Sequence, residues 1–286
     1  MIVVRIRGGL GNQFFSYARG YALAKKNNTK YMIDDFIYNT SYMLRSFKLL
    51  DYNISYDNLF IKNFPTNNKF EKILLKIWNR LKWKIIYRCK YIIEGKDFEY
   101  QEILIESNHN YYLNGYWQVH EYFDEYKSEL KKEFQLKNIS ETLKEESNKM
   151  KKGNYCVVHV RRGDYKTFNG GKCLSIEYYQ KAIQIMNELM PNTKYLFFSD
   201  DISYCKNNFG KLENVEFIEE KKWTDEEEMY LMSCCNNYII ANSSFSWWAA
   251  YLSENEKAVV ISPVVDIWKE NYYPKNWIKL NTNLEK

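Results

Sequence analysis

The second half of the chain alternates short apolar runs with stretches of helical spacing, and this constrains the fold more than any other feature. Residues 156–160 form one apolar run, and 194–199, 215–218, 238–241 and 258–262 form four more. Between them, 175–190 carries Ile176, Tyr179, Ile183 and Met186 at helical spacing and stops at Pro191. Thr224-Asp225-Glu226-Glu227 has the form of a capping box opening a further helix, Asp201 starts a short one and 244–253 reads as another. Repeated strand–helix alternation predicts a parallel sheet covered by helices, with ligands bound beyond the carboxyl ends of its strands. The first half begins alike: a strand at 2–6, a glycine-rich turn, a helix from Asn12 to about Lys26 and a strand at 30–34, after which the pattern blurs through 44–68. The charged stretch 137–154 suits a boundary, giving an N-terminal α/β domain over 1–150 and a C-terminal Rossmann-like domain over 151–286.

The composition is that of a globular protein, 45% hydrophobic and 27% charged, and its net charge of +5 is too small to argue for nucleic acid. A mild positive excess suits an anionic substrate such as a sugar nucleotide, or an anionic membrane surface. Six cysteines with no Cys-x-x-Cys pair, and only three histidines, point to reduced thiols rather than to zinc. No leader-like segment and no run of about 18 apolar residues occurs, so the expected location is cytoplasmic.

Three strand-to-helix turns carry residues suited to chemistry. In His159-Val160-Arg161-Arg162-Gly163-Asp164 two arginines follow a buried strand directly. An arginine fork matches phosphate oxygens two at a time, and a diphosphate leaving group needs such cations. The competing reading is an Arg–Asp ion pair that pins a turn. In Asn242-Ser243-Ser244-Phe245-Ser246-Trp247-Trp248 hydroxyls and free amides open a helix, which suits an anion, while ordinary N-capping accounts for the serines and core packing for the tryptophans. Gly8-Gly9-Leu10-Gly11-Asn12-Gln13 lacks both the third spaced glycine of a dinucleotide fingerprint and the Gly-Lys-Ser/Thr ending of a P-loop. Asp200-Asp201 suits a base or ribose, or a helix N-cap. Trp117 and Gln118 suit a sugar, or for Trp117 the core.

Taken in order, Gly8-Gly9-Leu10-Gly11-Asn12-Gln13, Gly115-Tyr116-Trp117-Gln118, His159-x-Arg161-Arg162-Gly163-Asp164-Tyr165, Phe198-Ser199-Asp200-Asp201 and Asn242-Ser243-Ser244-Phe245-Ser246-Trp247-Trp248-Ala249 span residues 8 to 249. In these the chain resembles glycosyltransferase family 11, the α-1,2-fucosyltransferases, departing at Phe14, where methionine is more usual. The resemblance implies a GT-B-like α/β fold of two Rossmann-like domains facing a cleft. It implies inverting, metal-independent transfer of fucose from GDP-fucose to the 2-hydroxyl of a terminal β-galactoside, on an oligosaccharide or a lipid-linked glycan, with no cofactor. It implies catalytic roles for Arg161, Asp164 and Asn12, and donor binding by His159, Arg161, Arg162, Asp200, Asp201, Ser243, Ser244, Phe245, Gly9 and Gly11. Trp117 and Gln118 would meet the acceptor. For the base that takes the acceptor proton, Asp164, Asp35 and Glu121 all stand open.

Residues 69–90 hold eight Lys or Arg against one Glu, with Phe70, Ile73, Leu74, Ile77, Trp78, Leu81 and Ile85 at helical spacing. Two readings follow: a surface helix packing its apolar stripe on the core, or a helix lying on an anionic membrane and holding the enzyme on its inner face.

Overall fold

The computed structural model describes residues 1–39, 45–55, 69–95, 99–167, 173–266, 268 and 270–285, and the chain divides into two units, 1–135 and 136–286. The blurred stretch 44–68 falls largely outside the described residues. Residues 136–150, expected in the first domain, go with the second unit instead. Within the charged stretch Ser140 caps a real helix, its Oγ accepting from Leu143 N at 3.2 Å. That helix buries Leu143, Ser147 and Met150 within the second unit.

The first unit contains β1 (Ile2–Arg5), α1 (Leu10–Lys26), β2 (Tyr31–Asp34), α2 (Lys69–Leu81), β3 (Cys89–Ile93), β4 (Asn110–Asn114) and α3 (Lys127–Glu133). Its sheet runs β2-β1-β4-β3, all parallel. Ile2, Val3 and Val4 are fully buried, as expected of a central strand covered on both faces. The sequence reading missed β3 and β4. β3 is an edge strand with Lys90, Tyr91 and Ile93 exposed, so it lacks the continuous apolar run that marks a buried parallel strand.

The α2 helix does not pack its apolar stripe on the core. Ile73, Leu74, Ile77, Trp78 and Leu81 are all exposed, and a π-helical turn, Lys82–Ile86, follows. Other residues tie the segment to the sheet: Asn79 Nδ2 of α2 and Trp83 Nε1 of the following turn each donate to Asp34 Oδ2 at 3.0 Å, and the Trp83 ring packs with Val3, Met32 and Tyr112.

The second unit contains α4 (Glu141–Lys152), β5 (Tyr155–Val160), β6 (Cys173–Leu174), α5 (Ile176–Leu189), β7 (Lys194–Ser199), α6 (Ile202–Phe209), β8 (Val215–Phe217), α7 (Asp225–Ser233), β9 (Asn237–Ile239), α8 (Ser244–Tyr251), β10 (Val260–Val264), β11 (Ile278–Asn281) and β12 (Leu284–Glu285). The main sheet is parallel throughout, in the order β11-β10-β9-β5-β7-β8, and β11 extends it beyond the last strand expected. Cys156, Val158 and Val160 pack with Tyr178, Ala182 and Met186 of α5. The alternate residues Val157 and His159 point to the other face and are also buried, so helices cover both sides. All six cysteines are free and buried.

From β5 the chain steps outward to β7 and β8, then returns to start again on the other side with β9, β10 and β11. The strand order therefore reverses between β5 and β9, and in open parallel sheets that reversal opens a crevice at the strands' carboxyl ends. In the first unit the reversal lies between β1 and β4.

Candidate functional site

At the carboxyl end of β5, both arginines are held by the turn that follows β7. Asp200 Oδ1 accepts from the Arg162 backbone N–H at 2.8 Å, and Asp200 Oδ2 pairs with Arg161 Nη1 at 2.9 Å. Arg161 Nη2 donates to Asp164 Oδ1 at 2.7 Å. A Cβ on Gly163 would come within 2.5 Å of Asp200 Oδ2, so only glycine lets this carboxylate sit against the turn. The Arg162 guanidinium lies 3.6 Å from the centre of the Tyr204 ring, with Nε 3.5 Å from Asp201 Oδ2. Asp201 also caps α6, accepting from Tyr204 N at 3.2 Å, and pairs with Lys166. Thus the ion-pair and N-cap readings both hold, and Asp200 and Asp201 are committed to the arginine turn.

The turn between β9 and α8 joins the same place through Tyr165, whose hydroxyl donates to Asn242 O at 3.1 Å. Ser243 is buried and caps α8, its Oγ accepting from Phe245 N at 3.3 Å, while Ser244 and Phe245 are partly exposed at the helix start. Trp247 and Trp248 are core residues. His159 is buried with its ring 5.8 Å from that of Phe245. Burial first, then the Arg161 charge, lowers the imidazole to about 3, so it is neutral at physiological pH. Its Nδ1 and the Asn242 Oδ1 are both buried without a hydrogen-bond partner among the described residues. An unmet buried polar atom costs about 1–3 kcal/mol, which a bound polar molecule would relieve.

The sequence reading missed Glu228, seeing only the capping box before it. That box is present: Thr224 Oγ1 accepts from Glu227 N at 3.3 Å and Glu227 accepts from Thr224 N at 2.9 Å. It sets the register of α7 so that Glu228 ends the first turn near Arg161 and Asp200. Burial, then Asp225, raises its carboxyl to about 7, with Arg161 opposing the shift. An acid raised in the folded state holds a proton that the unfolded chain has released, so its stabilisation is lost as pH rises from about 4.5 to 7. Glu228→Gln is expected to flatten the fall of the thermal midpoint across that window. Parallel curves for variant and parent would show that the residue does not titrate there.

In the first unit, the reversal between β1 and β4 brings the Gly8-Gly9 turn together with 115–118. Gln118 Nε2 donates to Asn12 Oδ1 at 2.7 Å, and Arg7 stacks 4.1 Å from the Tyr116 ring centre. Glu94 Oε2 accepts from Tyr116 N at 2.6 Å, and Gly115 has no room for a Cβ, which would lie 2.4 Å from that of Glu94. Gln13 and Tyr38 both donate to Gly8 O, at 3.1 and 2.8 Å. Gly9 begins α1 with no side-chain cap and open space at its Cβ position, and Gly11 lies buried in the first turn. Trp117 requires a correction: it is 0% exposed, packed edge-on to Tyr122 with its backbone in the left-handed region, and offers no face to a sugar. Gln118 is buried beside it, its amide spent on Asn12. Arg7, which the sequence reading passed over, is legible as a cation at a strand's carboxyl end. Of the candidate bases, Asp164 is bound to Arg161, the Asp35 carboxyl is raised by burial and then by Asp34, and Glu121 lies 3.5 Å from His120 Nε2.

The model of glycosyl transferase family 11 matches residues 1–281. Over 295 residues the chain is 32% identical to the alpha-1,2-colitosyltransferase of Escherichia coli, covering 98% of this chain and 99% of that protein. It is 23% identical over 307 residues to galactoside 2-alpha-L-fucosyltransferase Sec1 of Mus musculus, covering 99% and 75%. Among solved structures, a variant of Arabidopsis thaliana FUT1 in complex with GDP is similar with a TM-score of 0.51 at 12% identity, over 91% of this chain and 69% of that one. The fold is α/β and GT-B-like.

Proposed function

We propose that this chain, which belongs to glycosyl transferase family 11, transfers L-fucose from GDP-fucose to the 2-hydroxyl of a terminal β-galactoside, with inversion and without a divalent metal. The observation that carries the reading is the pinned arginine pair at the strand-order reversal of the second unit. Departure of GDP leaves negative charge on the diphosphate, and preorganised donors that meet this charge lower the barrier. Arg161 offers its remaining N–H groups, and the start of α8, where the Ser243 cap takes only the Phe245 amide, adds Ser244 and the helix dipole. In this reading Arg162 and Asp201 brace the turn, Asp200 aims it, and His159 with Phe245 and Asn242 meets the nucleotide. Gly9 and Gly11 are read as donor-binding residues and Asn12 as a catalytic one. The acceptor proton goes to a carboxylate, for which Asp35, Glu121 and Asp164 remain candidates.

A second donor has a specific observation behind it, the 32% identity to a colitosyltransferase. Colitose is fucose without its 3-hydroxyl, so the two GDP-sugars present the same diphosphate and base and differ at one hydrogen-bonding group. A site that hydrogen-bonds that hydroxyl rejects the deoxy sugar strongly, whereas one that merely accommodates it accepts both. Transfer from each donor to lactose, with and without EDTA, followed by linkage analysis, tests the proposal. A 2′-fucosylated product formed equally in EDTA supports it. Preference for GDP-colitose would reassign the donor, and loss of transfer in EDTA would overturn the metal-free reading.

A further inference from the structure

The helix at 69–81 is mounted the wrong way round for a surface helix of a water-soluble domain. Its described side chains are exposed or partly exposed, and its anchor to the sheet is the amide of Asn79, donating to Asp34 at 3.0 Å. At about 100° per residue, Asn79 lies roughly opposite Leu81 and the arc containing Phe70, Ile73, Leu74 and Ile77. That arc therefore points away from the sheet. Phe70 is 67% exposed, Ile77 50% and Trp78 51%, and Ile85 and Ile86 extend the patch past the helix. Scattered apolar residues on a surface need no explanation, but a continuous apolar face of this kind marks a contact with something apolar.

Charge identifies the occupant. Lys76 and Arg80 are exposed along one edge of the arc, Lys84 and Arg88 follow, and the segment 69–90 has eight basic residues to one acidic, of which Lys90 pairs with Glu106 at 2.9 Å. A second copy of this chain packing on the same face would bring these like charges together. A membrane with anionic headgroups gives the apolar arc an acyl boundary and lays charge of opposite sign along the basic edge. The helix has 13 residues, and no helix among the described residues is long and apolar enough to cross a membrane. We infer that 69–86 lies flat in the interface of an anionic lipid bilayer and holds the enzyme there as a peripheral protein. The inference rests on this face alone and stands whichever sugar is transferred.

Flotation with vesicles tests it, using phosphatidylcholine with and without phosphatidylglycerol. The protein is expected to float with the anionic vesicles at low salt and to be released by high salt, with little binding to phosphatidylcholine alone. Ile77→Asp with Trp78→Asp, which puts charge into the apolar arc, and separately Lys76→Glu with Arg80→Glu, which reverses the basic edge, should each cut the bound fraction at least about tenfold. Circular dichroism and transfer to a soluble acceptor should stay unchanged in both. Failure of the parent protein to float with anionic vesicles at low salt would overturn the inference, as would undiminished binding by both variants. A dimer in sedimentation equilibrium that Ile77→Asp with Trp78→Asp dissolves, without vesicle binding, would make the occupant a second copy and overturn it equally.

Discussion

Arg161→Ala should lower kcat/KM for transfer by about 100- to 1,000-fold, the range seen when a single preorganised donor to a developing anion is removed. A guanidinium has five N–H groups in a fixed fork. Here one goes to Asp164 at 2.7 Å and another faces Asp200 at 2.9 Å, so two carboxylates fix the plane while the remaining donors stay available to phosphate oxygens. The side chain is 22% exposed, neither lost in the core nor free in solvent. Arg161→Lys keeps the charge but replaces the fork with a point cation that cannot serve both carboxylates and a phosphate, so it should be nearly as damaged. Folding should survive both changes, because ion pairs that remain partly solvated contribute little to stability and Asp200 keeps its bond to Arg162 N. Unchanged circular dichroism and thermal midpoint would establish that. Retention of more than a tenth of the activity by either variant, with folding intact, would remove Arg161 from the chemistry.

The parts of this molecule that were legible in the sequence are those where local pattern and burial coincide. β5, β7 and β9 are covered on both faces, so each reads as an apolar run, and Thr224 announces a helix start through its capping box, whereas the helix capped by Ser140 went unread because its charged stretch looked like a boundary. β3 was illegible because an edge strand need not be apolar throughout. The order β11-β10-β9-β5-β7-β8 is a matter of long-range pairing that no local window contains, yet it puts His159, Arg161, Asp200 and Asn242 in one place. Periodicity announced an amphipathic helix at 69–81 but left open which side faces the sheet. The bond of Asn79 to Asp34, with Trp83 packed on Val3 and Met32 just beyond it, answers that. Trp117 and Glu228 illustrate the same limit, since the burial of the one and the raised carboxyl of the other depend on neighbours distant in the chain.

The carboxylate of Asp200 offers a way to separate a residue that reads the nucleotide from one that positions its neighbours. The sequence alone suits Asp200 to a base or ribose. In the folded chain its two oxygens are already occupied, Oδ1 by Arg162 N at 2.8 Å and Oδ2 by Arg161 Nη1 at 2.9 Å. Asp200→Ala removes both ties, and the arginine fork is then free to turn away from the diphosphate. Misplacement by about 1 Å costs on the order of 100-fold in rate, so a loss of about that size is expected, mostly in kcat. Because the loss arises at the phosphates, which GDP and ADP share, inhibition by the two nucleotides should weaken in parallel and their ratio should hold. A residue that hydrogen-bonds guanine behaves otherwise: its loss collapses the preference for GDP over ADP. Gly163→Ala supplies an independent variant, since the added methyl would press within 2.5 Å of Asp200 Oδ2 and displace the carboxylate without deleting it. Matching losses of kcat and an unchanged GDP-to-ADP ratio in both variants would make Asp200 a positioning residue. A collapsed ratio in Asp200→Ala alone would return it to the base.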